Sequence, residues 1–229
     1  MKELSNIFAL FVVNAIEQKS QHIEMQKNGW FPSTFTLKSK KEDDETIDEF
    51  MLRCIKEDNF LQIKEYLIGL HPSRKRHFEA AFNLMDDNQY IGAIPLLLLL
   101  LDGLPLDRGF GLVFQGKRNS SGNHGLDILK FFESLIKHMN SDNKFQNNVL
   151  IRYYSSFIAE AENFIISKNT ENKQNQNLFT LNRHGIMHGK TEYLNYDEEI
   201  NALKIISMML FVTSILHIID LNRNTSNSQ

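Results

Sequence analysis

Hydrophobic residues recur at helical spacing along most of this chain, and short polar stretches separate the apolar segments. The pattern predicts helices over residues 3–28, 46–70, 73–86, 90–101, 126–139, 149–167 and 197–221. No segment shows a convincing alternation of apolar and polar positions, which would indicate a strand. The sequence therefore predicts an all-α helical bundle with essentially no sheet.

Two of the predicted helices are unusually apolar, over residues 90–101 and 202–219. The uninterrupted apolar run at 93–101 is far shorter than the ~20 residues of a membrane-spanning helix. Polar residues interrupt the second run, at Ser207, Thr213, Ser214 and His217. Both helices are predicted to lie in the core, and their combined apolar surface favours a homodimer. With no convincing signal peptide, a cytoplasmic protein without a membrane segment is expected.

Composition narrows the class of protein. The chain has 229 residues with a net charge of −3, which argues against binding nucleic acid through bulk charge. Its single cysteine, Cys54, excludes an internal disulfide. We expect an N-terminal helical region (1–86) that packs on the core, a main helical domain (87–221) and a disordered tail (222–229).

Polar groups with chemical capability are concentrated in residues 182–190. Arg183 and His188 are the central pair, and Asn182, His184 and Lys190 accompany them. A guanidinium binds phosphate oxygens, and an imidazole gives or takes a proton near neutral pH. On a regular helix, residues five apart point roughly 140° away from each other. The two side chains therefore meet at one phosphate only if the helix is irregular or a second copy completes the site.

This stretch resembles the motif of HEPN domains, in which an arginine is followed by a polar residue, further residues and a histidine. The resemblance implies an α-helical fold and a composite site in a homodimer. It also implies a metal-independent ribonuclease without a cofactor, of the kind found in toxin–antitoxin or phage-defence systems. RNA would be the substrate and an antitoxin protein a possible partner.

The resemblance also implies roles for individual residues. Arg183 would bind and polarise the scissile phosphate, and His188 would act as general base or acid. Asn182 and His184 would orient the substrate or a partner. Lys190 occupies the position at which a subset of the family has a tyrosine.

Asp102 has two interpretations. It ends the apolar run of the 90–101 helix, where a buried carboxylate is costly unless it is paired. It either reaches solvent at the helix end or holds Arg183 or a histidine. HEPN domains often carry an acidic residue on such a helix, so the resemblance favours the second interpretation.

The glycine-rich segment 104–124 contains a stretch similar to a phosphate-binding P-loop, ending in Lys117. Arg118 replaces the Ser or Thr that contacts magnesium, and no strand is predicted before the loop, so we reject a P-loop. Arg108, Lys117 and Arg118 remain weak candidates for lining an RNA channel.

The motif residues allow other interpretations. His184 and His188 share a helix face and could bind zinc with Glu192, but a zinc protease requires Glu where Gly185 stands. Asn182, Arg183 and His188 could also serve only as helix caps. A catalytically inactive helical module that binds a nucleotide, RNA or a protein is the alternative to a ribonuclease.

Overall fold

The computed structural model describes residues 19–36, 39–114, 116–118, 124–126, 128–139, 154, 157–158 and 182–226. The protein is all-α, as predicted. Its described helices are α1 (Lys19–Lys27), α2 (Ile47–Leu52), α3 (Phe60–Leu70), α4 (Lys75–Asp86), α5 (Tyr90–Gly103), α6 (Ile128–Met139), α7 (Arg183–Met187) and α8 (Glu199–Ser226). Single 3-10 turns occupy Pro72–Arg74, Leu106–Arg108 and Thr191–Tyr193.

The core is built around α8, against which α3, α5 and α6 pack. Every residue from 201 to 216 except Lys204 is buried, which confirms that this apolar helix is covered on several sides. The ring of Phe211 lies 5.1–5.6 Å between centroids from the rings of Phe31, Phe132, Tyr154 and Phe157. Such tilted and edge-to-face contacts stabilise a core beyond the area they bury.

The connection between α1 and α2 is held in the core by two aromatic residues. Trp30 and Phe31 are both buried. The Trp30 indole N–H donates to Asp48 Oδ1 at 2.6 Å, and the Phe31 backbone N–H donates to Ser207 Oγ at 3.2 Å. These bonds satisfy polar groups that would otherwise be buried without partners.

Helix α5 lies between α4 and α8. It extends two residues beyond the predicted end, to Gly103, because Arg74 donates to the Gly103 carbonyl at 2.8 Å and also binds Asp107 with two nitrogens. Tyr90–Arg108 and Glu199–Leu221 have the length and composition of membrane-spanning helices, but 50% and 83% of their most apolar windows are buried inside the protein. Burial of this kind is typical of core helices.

One predicted helix, over residues 46–70, is divided in the structure, so this prediction was wrong in its continuity. After α2 the chain forms a π-helical turn, Arg53–Glu57, and breaks at Asp58 and Asn59 before α3. The Asn59 amide donates to the Cys54 carbonyl at 2.7 Å. Side chains of this kind compete with the helix for backbone groups, which explains the break.

Other predicted boundaries also differ. The helix predicted over 73–86 begins at Lys75, and the Ser73 hydroxyl donates to Asp107 at 3.0 Å instead of capping it. Helix α8 continues to Ser226, so the disordered tail expected from residue 222 does not begin there.

The segment 104–124 contains a strand, β1 (Gly116–Arg118), which pairs antiparallel with β2 (His124–Leu126). This short pair is a departure from the helices-only prediction.

Some predictions lie mostly outside the described residues. These are the first part of the helix at 3–28 and the polar stretch 169–177. Of the helix expected at 149–167, only Tyr154, Phe157 and Ile158 are described, and all three are helical and buried.

Candidate functional site

The motif forms α7, a helix of five residues with a defined cap at each end. At its start, Asn182 Oδ1 accepts the Gly185 N–H at 2.9 Å. At its end, Gly189 adopts a left-handed conformation with φ of 60°. The N–H groups of Gly189 and Lys190 donate to the carbonyls of Ile186 and Gly185, both at 3.0 Å. This pair of bonds is a Schellman motif, which ends a helix after a fixed residue.

Gly185 is required by a close neighbour. A Cβ atom at this position would lie 2.2 Å from Cδ2 of Tyr193, far inside van der Waals contact. Tyr193 is 3% exposed and belongs to the 3-10 turn that follows α7. The absence of a side chain at Gly185 therefore lets the tyrosine ring pack directly on the α7 backbone.

Arg183 is held by Asp102, as one of the two interpretations of the sequence predicts. Arg183 Nη2 lies 3.3 Å from Asp102 Oδ2, and the guanidinium stacks over the Phe114 ring at 5.4 Å. Asp102 also accepts the Phe114 N–H at 2.9 Å through its other oxygen. The Asp102 carboxylate thus binds Arg183 directly and also holds Phe114, the residue on which Arg183 stacks. The Arg183 and Asp102 side chains retain 24% and 14% of their exposure, so the pair is open to solvent on one side.

The two motif histidines lie against each other. The His184 and His188 rings have centroids 4.4 Å apart. His188 is the C-terminal cap residue of α7 and is exposed, whereas His184 is partly buried. Among the described residues, no hydrogen bond or ring contact joins Arg183 to His188. Within one chain, therefore, Arg183 contacts Asp102, and His188 contacts His184 instead of Arg183.

The segment from Asn182 to Tyr196 runs alongside α5 and contacts it near both ends. Arg183 binds Asp102 near the C-terminal end of α5, and the Tyr196 hydroxyl donates to the Ile91 carbonyl at 3.0 Å near its N-terminal end. These points are about 16 Å apart along a helix. Large apolar side chains are exposed on both elements: Ile91 at 63%, Leu99 at 53%, Met187 at 41% and Leu194 at 52%.

Arg108, one of the three proposed RNA-channel residues, is engaged in a network of its own. Its guanidinium binds Asp220 at 2.6 Å, His71 Nδ1 at 3.1 Å and the Leu70 carbonyl at 3.1 Å, and its side chain is only 12% exposed. These contacts favour a structural role for Arg108 rather than RNA binding. Lys117 and Arg118 form part of β1. The strand coincides with the end of the P-loop-like stretch instead of preceding it, which agrees with the rejection of a P-loop.

His71 completes this second polar network. Its Nδ1 accepts from Arg108, so its Nε2 carries the proton and donates to Thr213 Oγ1 at 3.1 Å. Burial, reinforced by the nearby Arg108 charge, lowers the pKa of His71 to about 4. The histidine is therefore neutral and structural.

Metal ligands do not gather in the described part of the chain, where no group of three His, Cys, Asp or Glu side chains converges. A cavity of about 280 Å³ lies at the N-terminal ends of α5 and α8, away from Asp102, and its lining includes Lys56, Phe60, Met85, Tyr90, Glu199 and Leu203. Its polar groups bind one another, with Glu199 accepting from Lys56 at 2.6 Å and Tyr90 at 2.9 Å. Because its lining includes no residue of the motif, the cavity is separate from the candidate site.

Phe114 and Tyr193 are the site residues that the sequence analysis missed. Neither belongs to the motif, and each contacts it through a turn that the hydrophobic pattern does not describe. Only the contact with Tyr193 has a signal in the sequence, because a glycine inside a helix, here Gly185, indicates close approach of another group. No match to this chain was found among protein-family models, curated proteins or solved structures.

Proposed function

We propose that this protein is a metal-independent endoribonuclease of a toxin–antitoxin or phage-defence system, acting in the cytoplasm through Arg183 and His188. The proposal rests on the resemblance of the motif to HEPN domains. The observation that carries it furthest is the placement of Arg183, which is oriented by Asp102 and Phe114 on the short helix that ends at the exposed His188.

RNA cleavage of this kind needs three groups. A base removes the proton from the ribose 2′-hydroxyl, whose oxygen attacks phosphorus. An acid protonates the leaving 5′-oxygen, and a cation balances the charge on the phosphate. One new O2′–P bond replaces the P–O5′ bond, leaving a 2′,3′-cyclic phosphate and a 5′-hydroxyl. Arg183 supplies the cation, and His188 supplies the acid or base.

A second copy of the chain would supply what one chain lacks. Base and acid act at the same phosphate, and two His188 side chains in a dimer could divide these roles. The exposed Ile91, Leu99, Met187 and Leu194 lie on the two elements that form the site, so a dimer through this face would bring two motifs together. Because the centre of α8 is already covered by its own chain, α5 rather than α8 would supply the apolar surface of this dimer.

The direct test is cleavage of a mixed RNA pool in EDTA. Arg183→Ala and His188→Ala should each lose about 10²–10⁴-fold in rate, because each removes a group that acts in the transition state. Both variants should still fold, since neither side chain is buried in the core. His188→Ala should keep the wild-type melting temperature, whereas Arg183→Ala also loses the ion pair with Asp102. The products should end in a 2′,3′-cyclic phosphate.

Two matched controls come from the protein itself. Arg223 stacks on Phe110 at 5.3 Å much as Arg183 stacks on Phe114, and exposed His138 lies 5.1 Å from the same Phe110 ring. Arg223→Ala and His138→Ala should cleave at the wild-type rate. Loss of cleavage in EDTA, or full activity in His188→Ala, would place the chemistry elsewhere.

A charge introduced into the proposed dimer face tests whether the dimer forms there. Leu99→Lys should give a monomer in sedimentation at tens of micromolar, on the order of normal assay concentrations, and should abolish cleavage. Leu61→Lys is the control, because Leu61 is 70% exposed but lies on α3. A wild-type protein that sediments as a monomer contradicts the composite site.

The alternative is a catalytically inactive module that binds a nucleotide, RNA or a protein partner. The pairing of Arg183 with Asp102, rather than with His188, is the observation that favours it. Binding of RNA without cleavage by the wild-type dimer would support this alternative.

A further inference from the structure

We propose that Tyr193 is a positioning residue of this site: its ring, packed on Gly185, fixes the place of His188 relative to Arg183. This inference rests on the proposed function, and it concerns a residue outside the motif. Tyr193 does not need to touch the substrate in order to act in this way.

The first observation is the closeness of the contact. An added Cβ at Gly185 would meet Cδ2, Cγ and Cε2 of Tyr193 at 2.2, 2.4 and 2.8 Å. The ring therefore occupies the space that any other residue at 185 would fill. Interiors packed this closely do not deform continuously, so the ring defines one position for α7.

The second observation is the path of the chain between the two residues. The Lys190 N–H binds the Gly185 carbonyl at 3.0 Å, and the Tyr193 N–H binds the Lys190 carbonyl at 2.9 Å. His188 lies between Gly185 and Tyr193, on a loop that the ring contact closes. Moving the ring would move the loop, and His188 with it.

The third observation concerns the opposite side of α7. Arg183 is held by Asp102 and Phe114, which belong to α5 and the segment that follows it. Arg183 and His188 thus have separate anchors, and their relative position depends on both. Removing one anchor should disturb the pair without removing either group.

The ring, rather than the hydroxyl, performs this role. Among the residues that the structure describes, none forms a hydrogen bond with the buried Tyr193 hydroxyl, so no described bond through it could position a neighbour. A buried hydroxyl without a partner costs stability. Phenylalanine keeps the ring and omits this cost, which makes it the conservative variant.

The experiment compares Tyr193→Leu, Tyr193→Phe and the control Tyr196→Leu in the full chain. Tyr196 is buried to a similar degree in the same segment, at 9% exposure, but its hydroxyl binds Ile91 on α5. For RNA cleavage, Tyr193→Leu should lower kcat about 10–100-fold with KM unchanged, because small displacements of a reacting group cost this much. Tyr193→Phe should restore wild-type kcat and raise the melting temperature, and Tyr196→Leu should keep its kcat.

NMR of the His188 ring provides a readout that does not require activity. Its C–H resonances should shift in Tyr193→Leu and stay in place in Tyr193→Phe and Tyr196→Leu. If Tyr193→Leu does not fold, Gly185→Ala tests the same contact, and it should lower kcat and shift His188 in the same way.

The outcomes separate the two claims. Absence of cleavage by the wild type would overturn the proposed function, and the His188 resonances alone would then decide the positioning role. Equal kcat in Tyr193→Leu and Tyr196→Leu would overturn the positioning role. So would a Phe variant as impaired as the Leu variant, because the hydroxyl would then be the active group.

Discussion

Helices α8 and α7 are stabilised in contrasting ways. α8 has 28 residues, and its central part is buried among apolar side chains from several helices. α7 has five residues and is held by an asparagine cap, one ion pair and one ring contact. A helix this short is not stable alone, whereas the burial of α8 is spread over many residues. The stability of the core therefore depends on the total apolar area buried, and the conformation of the site depends on a few individual contacts.

This contrast predicts that the largest effects on stability come from the centre of the core. Phe211→Ala should lower the free energy of unfolding by about 3–5 kcal/mol, because it leaves a cavity among the rings around Phe211. Urea unfolding measures the change. Leu61→Ala is the control, since Leu61 is apolar but 70% exposed and lies outside the proposed dimer face, and its loss should stay at about 0.5 kcal/mol or less. Similar losses in the two variants would contradict the central place of Phe211.

A smaller effect should depend on pH. Burial lowers the pKa of His71 to about 4, against 6.5 for an accessible histidine. Above pH 6.5 His71 is neutral in both the folded and the unfolded states, so protonation does not reduce the free energy of unfolding. Between pH 6.5 and 4 only the unfolded state takes up the proton, so stability falls by roughly 3 kcal/mol as pH decreases.

Urea unfolding between pH 7.5 and 4.5 tests this sign. His71→Gln cannot titrate and should show a shallower fall, although it is less stable at neutral pH. His22, whose pKa burial also lowers to about 4, should still contribute its own fall. An unchanged slope in His71→Gln would contradict the neutral buried state.

The smallest effect should be confined to the site. Asn182→Ala removes the cap that accepts the Gly185 N–H, a loss of about 1 kcal/mol. Since α7 is short, its amides should exchange hydrogen faster while those of α8 remain protected. The matched control is Thr46→Ala, which removes a side-chain cap on α2 and should leave α7 unchanged. Faster exchange throughout α8 would show that the two regions unfold together.

The same contrast explains what could be predicted from the sequence. The long apolar segments identified α5 and α8, since periodicity and length are local properties. The break at Asp58 and Asn59 was missed because the competing bond to Cys54 requires knowledge of the backbone path. The helix predicted from residue 73 begins two residues later, at Lys75, and the Ser73 hydroxyl binds Asp107 in a distant turn.

The site was predicted in part for similar reasons. Asp102 could be paired with Arg183 because a carboxylate at the end of an apolar helix needs a partner. The roles of Phe114 and Tyr193 arise from contacts across turns, which residue spacing does not encode. The relation between Arg183 and His188 in a second copy remains a prediction.

The double use of Asp102 has a consequence for ligand exchange at Arg183. A phosphate that binds this guanidinium through Nη2 competes with a carboxylate already present, so the free energy gained there is the difference between two interactions. The contact at 3.3 Å is longer than the usual 2.7–2.9 Å of a charge-assisted bond, which makes the carboxylate a weak competitor. After the phosphate leaves, Asp102 still holds Phe114 and can take Arg183 back. If Arg183 binds phosphate as proposed, we therefore expect the bound anion to exchange rapidly.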